Sequence, residues 1–204
     1  MKQTIFTIGY SGFTLPDFLE ALLDHQISAV IDVRSQPYSA YHPEYNKEFL
    51  EHALHEEKIA YRNYAREFGA RQTDSRYYSP DGYLDFERFS KSEAFQEGVS
   101  KLTEGMQAGY RFALMCAEKD PISCHRTIMV ARAFYKVGYR VIHLLPGDAT
   151  STQEEIELRL LNKFFPGRNQ ESLFDGEASQ AQYIDCAYRK QNAEIGYSIE
   201  KEWQ

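Results

Sequence analysis

The sequence predicts an α/β fold with an open, mostly parallel sheet of about five strands, flanked by helices and followed by a C-terminal helical extension. Short apolar runs rich in β-branched residues alternate with segments of helical periodicity. This alternation is typical of βαβ units with right-handed crossovers. The chain has 204 residues, which suits one domain with its own core. We expect an α/β domain over 1–165 and an extension over 166–204, within the same domain or loosely docked.

Five segments are predicted to be strands because they are short, apolar and bounded by turn residues. The first, TIFTI at 4–8, is followed by a Gly-Tyr-Ser-Gly turn. The second, AVIDV at 29–33, stops before Pro37. The remaining three lie at 59–64, 111–115 and 140–145. Between them, apolar residues recur at helical spacing.

Residues typical of helix ends flank the segments that have helical spacing. Thr14 followed by Asp17 is a helix start, with Pro16 tolerated in the first turn. Further helices are predicted from Asn46, over 92–107, over 127–137 with Gly138 as C-terminal cap, from 151 or 152 to about 164, and over 183–192. Residues 66–84 are polar and rich in Tyr, and we predict a long loop there, of the kind that is functional or mobile.

Composition excludes several classes of protein. The net charge is −7, which argues against a duplex nucleic-acid partner, because such binding needs a broad basic face. No signal sequence and no apolar run of membrane-spanning length is visible. Three cysteines are too few for a disulfide framework, so reduced thiols and a cytoplasmic location are expected. No membrane partner and no cofactor are expected.

Polar residues follow three of the predicted strands. Ligands of open α/β sheets bind at the carboxyl ends of the strands, which meet at one edge when the sheet is parallel. The sequence therefore predicts a pocket for a small anionic or nucleotide-like ligand at this edge. The expected ligand-binding residues are Tyr10, Ser11, Arg34, Ser35, Lys119 and Arg126.

The segment CAEKDPISCHR at 116–126 carries the most chemical information. Its first cysteine ends a predicted strand, and its last three residues begin a predicted helix. A helix N-terminus favours anions and lowers the pKa of a nearby thiol. We expect Cys116 or Cys124 to act as nucleophile or sulfur carrier, with His125 or Glu118 moving protons.

Other interpretations of the same segment stay open. The pocket could bind a nucleotide or phosphate without reaction at either thiol. Zinc could bind Cys116, Cys124 and His125 with a fourth ligand such as His42, but the spacing C-x7-C-H matches no standard motif, and no metal is predicted. The cysteines could also serve packing alone. Finally, the Tyr-rich stretch 66–84 could bind a protein partner.

Three short motifs resemble the domain-of-unknown-function family numbered 488. The motifs are Thr7-Ile8-Gly9-Tyr10-Ser11, then Asp32-Val33-Arg34-Ser35 with Pro37, and then Leu114-Met115-Cys116-Ala117-Glu118 with Pro121 and Cys124-His125-Arg126. The resemblance implies an intracellular bacterial or archaeal α/β domain in which these strand ends are signature positions. It implies no activity, because the family name supplies none.

A more distant resemblance connects the chain with rhodanese-type sulfurtransferases. Val30-Ile31-Asp32-Val33-Arg34 is similar to the corresponding stretch of those enzymes, and so is a strand ending in Cys116 that leads through a loop to Arg126. Nine residues separate Cys116 from Arg126, which is longer than the compact anion-binding loop of rhodaneses. The resemblance therefore implies the architecture only.

Overall fold

A computed structural model describes residues 3–167 and 180–198. In this part of the chain a six-stranded sheet has the order β3-β2-β4-β1-β5-β6, and every neighbouring pair is parallel except β5 and β6. The strands are β1 (Thr4–Gly9), β2 (Ala29–Asp32), β3 (Ala60–Asn63), β4 (Phe112–Cys116), β5 (Arg140–Leu145) and β6 (Ala149–Thr152). The predicted α/β class and the mostly parallel sheet are confirmed.

Helices connect the strands. The α-helices are α1 (Leu15–Asp24), α2 (Lys47–Glu56), α3 (Ala65–Phe68), α4 (Phe86–Phe89), α5 (Glu93–Gln107), α6 (Arg132–Lys136), α7 (Gln153–Phe164) and α8 (Gln180–Ile195). Short 3-10 turns lie at Pro43–Tyr45, Ser75–Tyr77 and Pro121–Ser123, and a π-helix covers Arg126–Ala131. The cap at Thr14 is as predicted, because its side chain accepts a hydrogen bond from the backbone N–H of Asp17.

The sheet has one strand more than the five predicted. The additional strand β6 pairs antiparallel with β5 at the edge of the sheet. Its sequence, ATST, has no apolar run, and all four of its residues are exposed or half-buried. A turn in which Gly147 and Asp148 both have positive φ, +74° and +57°, brings β6 back along β5. An edge strand without an apolar face gives no hydrophobic signal in the sequence.

Two apolar cores lie on opposite faces of the sheet. Successive residues of β4 alternate between them: Leu114 packs with α5, α6, α7 and α8, whereas Met115 packs with α1 and α2. Each central strand is therefore buried on both faces, which explains the nearly continuous apolar runs seen in the sequence. Helices on both faces of a parallel sheet define a doubly wound α/β architecture.

Two predicted segments differ from the structure. The stretch 66–84 is not a continuous loop, because α3 and the 3-10 turn Ser75–Tyr77 lie within it and Phe68 and Leu84 are fully buried. The helix predicted over 127–137 begins one residue earlier, as the π-helix, and continues as α6. Gly138, with φ of +97°, follows its end.

The C-terminal helix α8, whose core was predicted over 183–192, is tied to the rest of the protein by buried polar contacts. The Asn192 side chain accepts from the backbone N–H of Phe86 at 2.8 Å and donates to the carbonyl of Leu84 at 2.8 Å. Gln191 donates to the carbonyl of Ile122 at 2.9 Å, just before Cys124. Among the described residues, none of the helices has the length and apolar character required to span a bilayer.

Candidate functional site

The carboxyl ends of β1, β2 and β4 lie side by side, because these three strands are neighbours in the sheet. Gly9 is aligned with Cys116 at the ends of β1 and β4. The pairing continues beyond the strands, since the backbone N–H of Tyr10 donates to the Cys116 carbonyl at 3.0 Å and that of Ser11 to the Ala117 carbonyl at 2.9 Å. The sequence motifs at these strand ends therefore meet at one edge of the sheet.

Gly9 permits this close approach. A Cβ atom at this position would lie 1.8 Å from the backbone oxygen of Glu118 and 2.8 Å from Nη2 of Arg126. Real Cβ atoms are never that close to a backbone oxygen, so any larger residue would push the segment after β4 away from β1. The glycine fixes the position of the loop that carries the thiols.

A pocket of about 340 Å³ opens at this edge of the sheet. Six residues predicted for the site line it: Tyr10, Arg34, Ser35, Cys116, Glu118 and His125. They come from all three strand ends and from the start of the π-helix. The pocket thus brings together two predicted proton carriers, one predicted nucleophile and part of the predicted anion-binding set.

Four predicted residues lie near the pocket without lining it. Ser11 is half-buried, and the exposed Lys119 side chain runs beside Gly12. Cys124 is buried behind Cys116. Arg126 is fully buried, and its Nη1 donates to the Glu118 carbonyl at 2.6 Å, so it supports the loop from behind.

Arg34 is held at the pocket by a buried ion pair. Its Nη2 lies 2.6 Å from Oδ2 of Asp32, its Nε lies 2.9 Å from Oδ1, and Nη2 also donates to the Tyr45 carbonyl at 2.9 Å. Burial alone lowers the pKa of Arg34, but the hydrogen bonds and the charge of Asp32 outweigh it and raise that pKa. The third nitrogen, Nη1, is buried and has no hydrogen-bond partner in the described part of the chain.

Cys116, Cys124 and His125 form a buried cluster at the inner wall of the pocket. One donor atom from each lies within 4.8 Å of the others, and the distance from Cys116 Sγ to His125 Nδ1 is 3.9 Å. Glu118 adds a carboxylate oxygen 2.9 Å from Cys124 Sγ. His42, considered above as a zinc ligand, is outside this cluster and pairs with Glu44 at 3.4 Å.

The charges in this cluster are interdependent. The hydrogen bond with Cys124 and, after it, burial raise the pKa of Cys116 well above its usual value. Burial alone raises the pKa of Cys124, but the hydrogen bond from Cys116 and the charges of Arg126 and His125 lower it overall. Burial and the neighbouring Cys124 raise the pKa of Glu118. Of the two thiols, Cys124 is therefore the one whose ionisation the neighbouring groups favour.

Local backbone geometry also favours charge on Cys124. The backbone N–H of Arg126 donates to Cys124 Sγ at 3.4 Å, and those of Thr127 and Ile128 both donate to the Cys124 carbonyl at 3.1 Å. The first N–H groups of the π-helix are thus directed to Cys124 rather than to the pocket. Single π-helical turns inside helices are frequent at functional sites.

Several pocket residues were not predicted from the sequence. Tyr38 follows β2, Arg71 lies within the stretch 66–84, and Ile195 and Tyr197 belong to or follow α8. The Arg71 guanidinium lies 4.7 Å from the centre of the Tyr197 ring. Only Arg71 has a signal in the sequence, because it lies in the stretch 66–84, for which a functional or mobile loop is predicted. Nothing in the sequence indicates that the chain around Tyr197 returns to this edge of the sheet.

Fold and site together define a doubly wound α/β protein with a thiol-containing pocket at the carboxyl edge of its sheet. The chain matches the model of DUF488, a domain of unknown function, over residues 14–133. It belongs to this family. The matched segment contains Arg34 and the whole of 116–126, but begins after Tyr10 and Ser11.

Comparison with curated proteins and with solved structures finds no match for this chain. The likeness to rhodanese-type sulfurtransferases has no support from these comparisons and stays a resemblance of short segments.

Proposed function

We propose that this protein is an enzyme that binds a small anionic or nucleotide-like ligand in the strand-edge pocket and uses the sulfur of Cys116 as its nucleophile. One observation carries the proposal: Cys116 and Arg34 line the same pocket, and Arg34 keeps one buried nitrogen without a partner among the described residues. A fixed cation in the same pocket as a thiol suits a substrate that carries negative charge near its reacting atom.

Arg34 is the anion-binding group of this proposal. Asp32 fixes two of its guanidinium nitrogens, so Nη1 is the nitrogen left for a carboxylate or phosphate oxygen. The position is also the expected one, because ligands of open α/β sheets bind at the carboxyl ends of the strands. Ser35 and Arg71 line the same pocket and add polar groups close to the anion.

The pocket volume, about 340 Å³, lies near the lower end of the range for small-molecule sites, roughly 300–1,000 Å³. Tyr38 and Tyr197 contribute aromatic rings to the lining. Aromatic rings next to a cation favour a planar group attached to an anion, as in a nucleotide. A ligand of mononucleotide size or smaller fits these features.

The reaction is a substitution at the ligand. Cys116 Sγ forms a bond to an electrophilic atom, and the bond between that atom and its leaving group breaks with the electron pair going to the leaving group. Glu118, which lines the pocket, takes the proton of the Cys116 thiol and passes it to the departing group. His125 beside Cys116 and Cys124 behind it control whether the sulfur carries a proton.

The remaining properties fit a small-molecule enzyme of a reducing compartment. The three cysteines are free, and two of them are buried within hydrogen-bonding distance of acid or base groups. Free thiols of this kind persist in a cytoplasm. The net charge of −7 favours a small ligand over duplex nucleic acid as the partner.

Alkylation with matched reagents tests the proposal. Iodoacetate is a small anion and iodoacetamide is its neutral counterpart, and both place a two-carbon group on sulfur while iodide leaves. We expect the ratio of iodoacetate to iodoacetamide rates at Cys116 to exceed the ratio at Cys186, which lies on α8 outside the cluster. The iodoacetate reaction should saturate with concentration and should be inhibited by inorganic phosphate.

The Arg34→Lys variant is the matched control for this experiment. Lysine keeps a positive charge for Asp32 but has a single nitrogen, so none is left to bind an anion. The preference for iodoacetate should therefore disappear while iodoacetamide still reacts. Equal ratios at Cys116 and Cys186 would contradict anion binding. If iodoacetate binds saturably but does not alkylate Cys116, the protein is a binding module rather than an enzyme.

A further inference from the structure

The cluster at the inner wall of the pocket has the composition of a metal site. Cys116 and Cys124 supply two thiols and His125 supplies an imidazole, and their donor atoms all lie within 4.8 Å of one another. Each of the three residues is buried. Two sulfurs and one nitrogen form a soft ligand set, which selects zinc over magnesium or calcium.

The orientation of His125 is a second and independent observation. Its Nε2 lies 2.9 Å from the backbone carbonyl oxygen of Val33, and that oxygen can only accept a hydrogen bond. Nε2 therefore carries a proton, and in the neutral ring the Nδ1 lone pair points toward the thiols. Metal-binding histidines characteristically donate their other N–H to a carbonyl or carboxylate in this way.

The donor atoms are spaced somewhat more widely than the ligands of a bound tetrahedral ion. Zinc bond lengths place a sulfur and a nitrogen ligand about 3.6 Å apart and two sulfur ligands about 3.8 Å apart. The observed distance between Cys116 Sγ and His125 Nδ1 is 3.9 Å, and the other donor pairs lie within 4.8 Å. Binding one ion requires the three donor atoms to move together by no more than about 1 Å.

We propose that Cys116, Cys124 and His125 bind one zinc ion, whose fourth coordination position faces the strand-edge pocket. Cys116 and His125 both line that pocket, whereas Cys124 lies behind them, so the open side of the triad is the pocket side. Three protein ligands with one open position is the arrangement of catalytic zinc sites. Structural zinc sites use four protein ligands instead.

The surroundings suit two metal-bound thiolates. The backbone N–H of Arg126 donates to Cys124 Sγ at 3.4 Å, and the buried guanidinium of the same residue lies directly behind the loop. Glu118, 2.9 Å from Cys124 Sγ, also lines the pocket. Zinc would keep Cys116 deprotonated and still nucleophilic. The metal site itself is independent of the proposed function, but this role of the metal rests on it.

Metal content and cobalt spectroscopy test the site on the whole protein. Protein produced with zinc in the medium should contain one zinc per chain, and the Cys124→Ser and His125→Ala variants should lose most of it. Cys186→Ser is the matched control, because it removes a thiol outside the cluster, and it should retain the full content.

Cobalt(II) added to metal-free wild-type protein keeps the test valid even if a cluster variant fails to fold. We expect the intense visible bands of tetrahedral cobalt together with a thiolate-to-cobalt charge-transfer band in the near ultraviolet. The Cys124→Ser variant removes one of two sulfur ligands, so that band should fall to about half. Inorganic phosphate should shift the visible bands by occupying the open position.

Two results would overturn the metal site. The first is wild-type protein without stoichiometric zinc and without a thiolate-to-cobalt band. The second is a disulfide between Cys116 and Cys124 in protein purified without reductant. Arg34→Lys separates this proposal from the proposed function, since it should keep the metal and lose the preference for iodoacetate. If the wild-type protein binds metal but shows no preference for iodoacetate, only the proposed function is refuted. If it shows the preference but binds no metal, only the metal site is refuted.

Discussion

The Asp32→Asn substitution removes the negative charge from the buried ion pair that holds Arg34 at the pocket. Asp32 is fully buried, and the Arg34 side chain is only 6% exposed. The Asp32 carboxylate accepts hydrogen bonds from the backbone and side chain of Arg34 and from the Tyr61 hydroxyl at 2.7 Å. Asparagine offers one acceptor oxygen, and in place of the second it turns an NH₂ group toward Nη2 of Arg34, which cannot accept a hydrogen bond.

The expected cost follows from leaving a buried charge without its partner. Breaking such a pair destabilises a protein by about 3–5 kcal/mol. Because the remaining amide oxygen of asparagine still accepts one bond, we expect the lower end, about 3 kcal/mol. This is a large part of the total stability of a domain, which is typically about 5–15 kcal/mol.

Urea denaturation followed by circular dichroism measures this change. The control Asp24→Asn removes a carboxylate from an exposed position on α1 and should change the free energy of unfolding by no more than about 0.5 kcal/mol. The double variant Asp32→Asn, Arg34→Met removes both charges and should recover part of the loss. A single Asp32→Asn cost below about 1 kcal/mol would refute the buried pair as the element that fixes Arg34.

Three other substitutions probe features of the fold and site. Gly9→Ala places a methyl group 1.8 Å from the Glu118 carbonyl oxygen, so it should destabilise the protein by about 1–3 kcal/mol and slow iodoacetate labelling at the displaced thiol loop. Burial lowers the pKa of His143 to about 3, so the unfolded state binds an extra proton below about pH 6.5. Stability should therefore fall by about 2 kcal/mol between pH 7 and pH 5, and His143→Gln should abolish this loss while His55→Gln, at an exposed position, should not. Asn192→Ala leaves two buried backbone groups unsatisfied and should cost about 1–3 kcal/mol for each.

Each of these three predictions has a result that would contradict it. Gly138→Ala is the control for Gly9→Ala. Its added methyl group strains the backbone at a φ of +97° but meets no atom within 4 Å, so labelling should stay unchanged. Equal labelling rates in the Gly9 and Gly138 variants would contradict the role given to Gly9. The same change in stability between pH 7 and pH 5 in the wild type and in His143→Gln would contradict a neutral buried His143. Denaturation of Asn192→Ala at the wild-type urea midpoint would mean that α8 is held by other contacts.

The central strands β1, β2 and β4 could be predicted because each is buried on both faces and reads as an apolar run. Residues 140–145 match β5 in full, and the other predicted core strands differ from the structure by one or two residues at their ends. The edge strand β6 could not be predicted, because its Ala, Thr and Ser residues bury no apolar face. Its pairing is imposed by the turn at Gly147 and Asp148 rather than by its own composition.

The position of the site could also be predicted, because a parallel sheet collects its carboxyl ends at one edge. Tyr10, Arg34 and Cys116 meet there for that reason. The role of Arg126 could not be read from the sequence. It depends on the absence of a side chain at Gly9, which lets the loop carbonyl approach and cover the guanidinium. Such a contact has no periodic or compositional signal.

The relation between Cys116 and Cys124 shows a similar limit. The sequence indicates two thiols near a helix start, but it does not say which one faces a ligand. That assignment follows from three-dimensional packing, which exposes Cys116 to the pocket and turns the N–H groups of the π-helix toward Cys124. The tautomer of His125 likewise depends on Val33, a distant residue in the chain.

A crystal structure of the protein after reaction with iodoacetate tests the central claim most directly. The account predicts one carboxymethyl group on Cys116 Sγ, with its carboxylate on Nη1 of Arg34 inside the strand-edge pocket. A group attached instead to Cys124 or Cys186, or a Cys116 adduct whose carboxylate points away from Arg34, would contradict an anion pocket built around the Cys116 sulfur.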